Sequence, residues 1–396
     1  MNIILFDGDV RSQLLPLTYT RPVGNLRVGI LTINEKWEKT LSAKVSYATE
    51  DYLATKFPMN VSGDNLMIHG GLCPEKKLCD AISKLQIGER LVKAGQTLAA
   101  RVKEEGIFEF LDSTYAFERD EEYTNDVLLI EHPWDLFSKN AKAMQIDFDL
   151  VTEGRESQPI SSSNILIGDQ IFLEKGAVVE GATLNSKTGP IYIGKNAEVM
   201  EGSLVRGGLA LCEHAGLKMG AKVYGATTIG PHSKAGGEIS NSIIYGYSNK
   251  GHDGFIGNTV IGEWCNLGAD TNTSNLKNNY AKVRLWNYDT GRFANTGLQF
   301  CGLIMGDHSK SGINTMFNTG TVVGVSANVF GGGFPRNFIP SFAWGGAAGM
   351  IEFRYNKAAE VAVAMMGRRG LAYDEVEENI IKTIFDNTAI YRKNLK

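Results

Sequence analysis

The 396-residue sequence lacks an excess of positive charge: 40 Lys and Arg stand against 44 Asp and Glu, a formal net charge of −4. That argues against a nucleic-acid partner, which needs a basic patch to neutralise phosphates. Membrane-spanning runs are missing as well. The uncharged stretch at residues 337–351 contains Pro340 and several glycines, and it is too short to cross a bilayer. The apolar run Met1–Phe6 stops at Asp7 without a basic flank or a small-residue cleavage site, so a cytoplasmic protein is expected. Cysteine is sparse. The five residues 73, 79, 212, 265 and 301 are odd in number and show no CxxC spacing, which points to reduced thiols. GxSxG, HExxH and P-loop motifs do not occur.

The chain is too long for one ordinary domain, and 43% hydrophobic with 21% charged residues suits a soluble globular protein. Its 45 glycines are more than usual. They accompany a period of six. Ile193, Val199, Val205, Leu211, Leu217, Val223 and Ile229 are all aliphatic, and shorter runs keep the step at Ile167, Leu173, Val179, at Phe255, Ile261, Leu267 and at Phe317, Val323, Val329. Four places further on the residue is small, as at Ala197, Ser203, Ala215, Ala221 and Thr271. Glycine often follows the aliphatic position directly, as at Gly194, Gly230, Gly262 and Gly324.

Six residues per step fit neither a helix nor simple strand alternation. They fit a chain that turns a corner every six residues with one aliphatic side chain per face pointing into a prism. Three faces close a coil, and coils stack at the β-sheet spacing of about 4.8 Å. The expectation is a left-handed parallel β-helix over residues 156–345. Residues 1–155 alternate short apolar runs (Ile3–Phe6, Leu66–His69, Val127–Ile130) with helical stretches (Asn34–Leu41, Lys76–Leu85), as an α/β domain with a partly parallel sheet does. Residues 346–396 carry helical spacing at Lys357–Met366 and Asp374–Tyr391, enough for two helices that cover the open end of the prism.

The period breaks twice, around Tyr245–Gly254 and after Leu267 in the Asn-rich segment 272–291. Both breaks are expected to be loops that leave the prism, and loops of that kind carry binding sites. Among the six histidines, His214 and His232 lie one coil apart and should stack; with no third ligand in phase, stacking is favoured over a metal pair. His252 sits within the first break beside Asn249, Lys250, Asp253 and Gly254. An isolated loop histidine is commonly just solvated, but the insertion and its polar company favour a proton-transfer role.

The segment SNKGHDGFIGNTVIGEWCNLGADTNTSNLKNNY (residues 248–280) resembles the acetyltransferase core of the bifunctional family that joins glucosamine-1-phosphate N-acetyltransferase to N-acetylglucosamine-1-phosphate uridylyltransferase. His252 precedes Phe255-Ile256-Gly257, then Ile261-Gly262 leads to Asn266-Leu267-Gly268-Ala269, with Asp270 where the family has a second glycine. The order of domains matches too. The resemblance implies acetyl-CoA-dependent acetylation of glucosamine 1-phosphate in UDP-N-acetylglucosamine biosynthesis, with His252 as general base. It implies that Asn249, Lys250, Phe255 and Asn266 line the sugar phosphate site, that Ala269 and Thr271 mark the coil along which acetyl-CoA lies, and that the protein is a homotrimer.

The head resembles the uridylyltransferase part of that family through PLTYTRPVGNLRVG (residues 16–29) and FDGDVRS (residues 6–12). The departures matter: Val23 replaces the family's lysine, Gly71 stands where a metal-binding Asp is expected, and the phosphate loop keeps Gly8 and Arg11 without its second glycine. Arg21 and Arg27 are the candidates to take over phosphate contacts from UTP, and Asp7 or Asp9 to hold Mg²⁺. Other readings stand beside this one: acylation of a different amino sugar or nucleotide sugar, or a non-catalytic scaffold whose head binds a sugar nucleotide.

Overall fold

The structure is a computed structural model that describes residues 2–395. It resolves into two compact units. The first takes the chain up to Leu14, then Thr20–Arg27 and Leu31–His132; the second takes Leu15–Tyr19, Val28–Ile30 and everything from Pro133 onward.

The first unit is built on a six-stranded mixed sheet. Asn2–Phe6 runs parallel to both Val45–Ala48 and Asn65–His69. Asn65–His69 is then antiparallel to Gln96–Val102, which continues through Glu89–Lys93 to Arg119–Glu122. The parallel part is the apolar part: Ile3, Ile4, Leu5, Leu66, Met67 and Ile68 are buried, as strands covered on both faces should be. Helix Ile33–Leu41 starts where Thr32 and Glu35 form a capping box, and Lys76–Ile82 ends three residues before the expected stop. Val127–Ile130 makes only an isolated bridge, Leu72 to Leu129.

In the second unit the period of six becomes a parallel β-helix of about ten turns, as expected, with sheets of six, nine and ten short strands as its faces. Val205 pairs with Val223, Leu211 with Ile229 and Leu217 with Ala235, each one coil apart. All seven aliphatic residues from Ile193 to Ile229 lie inside, 2% exposed or less. One corner repeats a left-handed backbone conformation at Asn196, His214, His232, Tyr247, Trp264, His308, Ser326 and Phe342. Non-glycine residues rarely adopt it. At five of these positions, from His214 to His308, rings from successive coils stack.

The two breaks turn out differently. The second is a loop: Leu267 pairs next with Ser311, and the residues inserted between the coil strands Asn272–Thr273 and Leu303–Met305 include an antiparallel hairpin, Arg284–Asn287 against Arg292–Asn295. The first is not. Ile229 pairs with Ile244 and Ala235 with Lys250, fifteen positions on instead of eighteen, so the coil is shortened and nothing leaves the prism. Ile256, not Phe255, takes the inward slot opposite Ile239, and Phe255 faces out. The tightening falls between the inward Ala235 and Ile239, where glycine makes it possible at Gly237 (φ +75°): a Cβ there would lie 2.7 Å from the Gly254 carbonyl oxygen.

Helix Asn140–Thr152 lies before the expected boundary at residue 155 yet belongs to the second unit. The buried Asn140 side chain accepts from Gly29 N (2.7 Å) and donates to Ala226 O (2.9 Å), which ties this helix and Val28–Ile30 to the coils. At the far end, helices Tyr355–Gly367 and Glu375–Asn387 follow the last coil. Asp374 caps the second of these, and Phe342 meets Phe385 edge-on at 5.0 Å. No helix among the described residues is long and apolar enough to cross a membrane.

Candidate active site

His252 lies at the edge where two faces of the β-helix meet. It sits in the turn Gly251–Gly254, between strands Asn249–Lys250 and Phe255–Gly257, which belong to different sheets. Its side chain and that of Asp253 are exposed. The next coil braces the turn: Asp270 N donates to Asp253 O (3.0 Å), and Asn272 Oδ1 accepts from Phe255 N (2.8 Å). Asn249 and Asn266 are ladder partners on one face, while Phe255 and Asn272 stand on the adjoining one. Four of the expected residues therefore lie at or beside this accessible edge: His252 in the turn, Asn249 and Asn266 on one face and Phe255 on the other. Ala269 is half-buried on the coil above, where its carbonyl accepts from Asn314 N at 2.8 Å.

Two expected residues do not join them. Lys250 occupies an inward slot and is fully buried, with its ammonium among main-chain carbonyls, so it offers no charge to a sugar phosphate. Thr271 is also fully buried and bonds to Gly268 O and Ser311 Oγ, both at 2.8 Å. It fills the small-residue place that the hexapeptide pattern requires. Asn272 and Asp270 were missed as neighbours of His252, although the Asn-rich segment and the replaced glycine marked both.

Along a different corner, five rings form a column. His214 and His232 stack at 4.8 Å as expected, followed by Tyr247 (4.8 Å), Trp264 (4.3 Å) and His308 (6.3 Å). Among the described residues no group of three or more His, Cys, Asp or Glu is placed to hold a metal ion. Burial, and then the neighbouring His214, pushes the His232 pKa down. The neutral ring is therefore favoured in the folded state, and stability should fall as pH drops below the unfolded value of about 6.5. His232→Phe is expected to blunt that acid-side loss, as read by urea unfolding at pH 7.5 and 5.5. An equal loss in both proteins would show that His232 is not its source.

The head holds a cavity of about 390 Å³ at the end of strand Asn2–Phe6, where Gly8 and Asp9 meet Gln96, Tyr115 and Phe117. It is not equipped for a metal-bound triphosphate. Asp7 is buried and its two oxygens accept from Val23 N (2.7 Å) and Thr49 Oγ1 (2.5 Å). Asp9 is left as an exposed single carboxylate. Gly71 has no room for the expected metal-binding side chain: a Cβ there would lie 2.2 Å from Ile130 O. The residues do not fit Mg²⁺.

The expected phosphate contacts fare similarly. Arg11 is held by Glu50 (3.1 Å) and Tyr52 (2.7 Å), Arg27 by Glu35 (3.6 Å), and Arg21 is buried; none of the three lines the cavity. Arg90, the cation that does, is paired with both oxygens of Asp120 at 2.7 Å. His69 is buried, which pushes its pKa down to about 4 and leaves it neutral.

Burial also pushes the Asp7 pKa up to about 6, against hydrogen bonds from Thr49 and Val23 and the charge of Arg11. A raised carboxyl pKa means stability present below the unfolded value and lost as pH rises through 6. Asp7→Asn should therefore gain on the wild type by roughly 3 kcal/mol between pH 4 and pH 7. Parallel pH profiles of unfolding free energy would contradict this.

A nucleotidyltransferase-like head followed by a hexapeptide β-helix is the class that the fold defines. Residues 3–156 match the family described as sugar nucleotidyl transferase. The chain is 29% identical over 255 residues to the bifunctional protein GlmU of Methanocaldococcus jannaschii, covering 63% of this chain and 52% of that one. It is 27% identical over 231 residues to a bifunctional sugar-1-phosphate nucleotidylyltransferase/acetyltransferase of Sulfurisphaera tokodaii, covering 57% and 55%. It thus spans about half the length of the curated relatives it matches, and those relatives are transferases. Among solved structures, the polySia specific acetyltransferase NeuO is 13% identical, with 48% of this chain and 87% of that one covered and a TM-score of 0.29, a likeness too slight to inform the site.

Proposed function

We propose that this chain is an acetyl-CoA-dependent N-acetyltransferase on glucosamine 1-phosphate, with His252 as the general base. The observation that carries the reading is the exposed imidazole of His252 at an edge flanked by Asn249 and Asn266 on one side and Phe255 and Asn272 on the other. The amine nitrogen attacks the thioester carbonyl as His252 takes its proton. The C–N bond forms, the C–S bond breaks, and the departing thiolate takes the proton from the imidazolium. Asn249 and Asn266 would hydrogen-bond the sugar phosphate, and the Phe255 ring would pack on the sugar. Because this edge is open in one chain, a neighbouring copy in a trimer would complete it and exclude water.

Thiol release from acetyl-CoA, measured with glucosamine 1-phosphate and a panel of other amino-sugar phosphates and nucleotide sugars, tests the reading. Turnover with glucosamine 1-phosphate is expected; silence across the panel would defeat it.

A second reading concerns the head alone. An aromatic-walled cavity without a metal cage favours binding of a sugar nucleotide over nucleotidyl transfer. Calorimetric binding of UDP-N-acetylglucosamine without pyrophosphate release from UTP plus Mg²⁺ is the expected pair of results, and pyrophosphate release would restore the transferase role.

A further inference from the structure

Lys250 breaks the hexapeptide rule and has no place in the chemistry above. At its inward slot the two preceding coils carry Leu217 and Ala235, and the next carries Leu267. The side chain is nevertheless a full-length cation inside the prism. Its ammonium donates to the carbonyl of His252, to that of Asp253 (2.9 Å) and to that of Gly236 (3.5 Å). Two of these acceptors belong to the turn that carries the imidazole. That turn has glycine at both ends, Gly251 and Gly254, and glycine leaves a backbone free to sample many conformations.

We propose that Lys250 is a positioning residue: from inside the β-helix its ammonium holds the His252 and Asp253 carbonyls and thereby fixes the direction of the His252 ring. The proposal rests on the reading of His252 as the base. A lysine here works against stability. Burial pushes its pKa down to about 8, despite the nearby Asp253 and Asp270, so below that pH the folded state carries a disfavoured charge. Removing the ammonium relieves that desolvation penalty, which offsets the loss of its carbonyl contacts, and Asp253 O keeps a second donor in Asp270 N (3.0 Å). A structural lysine and a positioning lysine therefore predict different results.

The test uses Lys250→Leu and Lys250→Ala in the full chain, since neighbouring coils already accommodate leucine and alanine at this slot. Expected for both are a thermal midpoint no lower than wild type and faster amide exchange in residues 251–254. In the thiol-release assay kcat should be about 10–100-fold lower, with KM changed by less than about threefold, because small misplacement of a reacting group is costly. Placed on His252→Ala, neither substitution should lower the residual rate further. Unchanged kcat, an equal further loss in the His252→Ala background, or failure of both variants to fold would overturn the proposal. Full activity in His252→Ala alone would instead remove the base reading itself, so the two failures are distinguishable.

Discussion

His252→Ala is expected to lower the rate of acetyl transfer by about 10²–10⁴-fold, the usual scale for loss of a general base. The fold should not register the change. The side chain is exposed, while the turn is held by main-chain contacts: Asp253 O to Asp270 N and Gly254 O to Glu238 N. Exposed substitutions of this kind stay within about 0.5 kcal/mol in stability. The diagnostic result is a large fall in kcat beside an unchanged urea midpoint. KM for the amine should move little, because the sugar contacts assigned to Asn249, Phe255 and Asn266 are untouched. Turnover equal to wild type would take the imidazole out of the mechanism. A fall in rate accompanied by a lower midpoint would trace the loss to the fold instead.

Asn140→Ala should cost about 2–6 kcal/mol of stability. It strips partners from two groups that water cannot reach, the Gly29 amide and the Ala226 carbonyl, at roughly 1–3 kcal/mol each. Thr228 Oγ1 still donates to Gly29 O (2.7 Å), and Asp147 Oδ2 still accepts from Ile30 N (2.8 Å), so the segment keeps part of its anchorage. Gly29 itself has no latitude to shift. It holds φ +75°, and a Cβ would fall 2.4 Å from Asp147 Oδ2. The measurement is equilibrium unfolding in urea, with the β-helix followed by far-ultraviolet circular dichroism. A cost below 1 kcal/mol would mean that the clamp is redundant.

How far the sequence could be read differs by region. The coils were legible because a period of six has one physical solution, and each inward aliphatic residue from Ile193 to Ile229 took its slot. The C-terminal helices followed from spacing alone. The first break misled: lost residues and inserted residues disturb a period in the same way. Only pairing showed that Ile229 reaches Ile244 in a short coil. Phe255 is turned outward by a further short step, five residues from Ile256 to Ile261, and Lys250 is turned inward as the ladder partner of Ala235. Thr271 was misassigned for another reason. Its place four positions after Leu267 already marked it as a corner residue, and the resemblance overrode the pattern.

In the head, the residue types were present but their partners were invisible. Asp7, Arg11 and Arg27 read as a phosphate and metal set because carboxylates and guanidiniums in sequence show charge without showing what neutralises it. Folding brought Val23 and Thr49 to Asp7, and Glu50 and Tyr52 to Arg11.

What the sequence settled by itself was periodic: three faces, six residues to a face, small residues at corners, and a histidine placed where the rhythm changes. A repeat carries its own geometry, since each coil buries its apolar side chain only against the coils on either side. What the tertiary structure decided was direction: that His252 points outward, that Lys250 points inward, and that the head's charges satisfy one another. In a strand a shift of one residue reverses the side a residue faces, and local sequence does not set that register once a coil changes length.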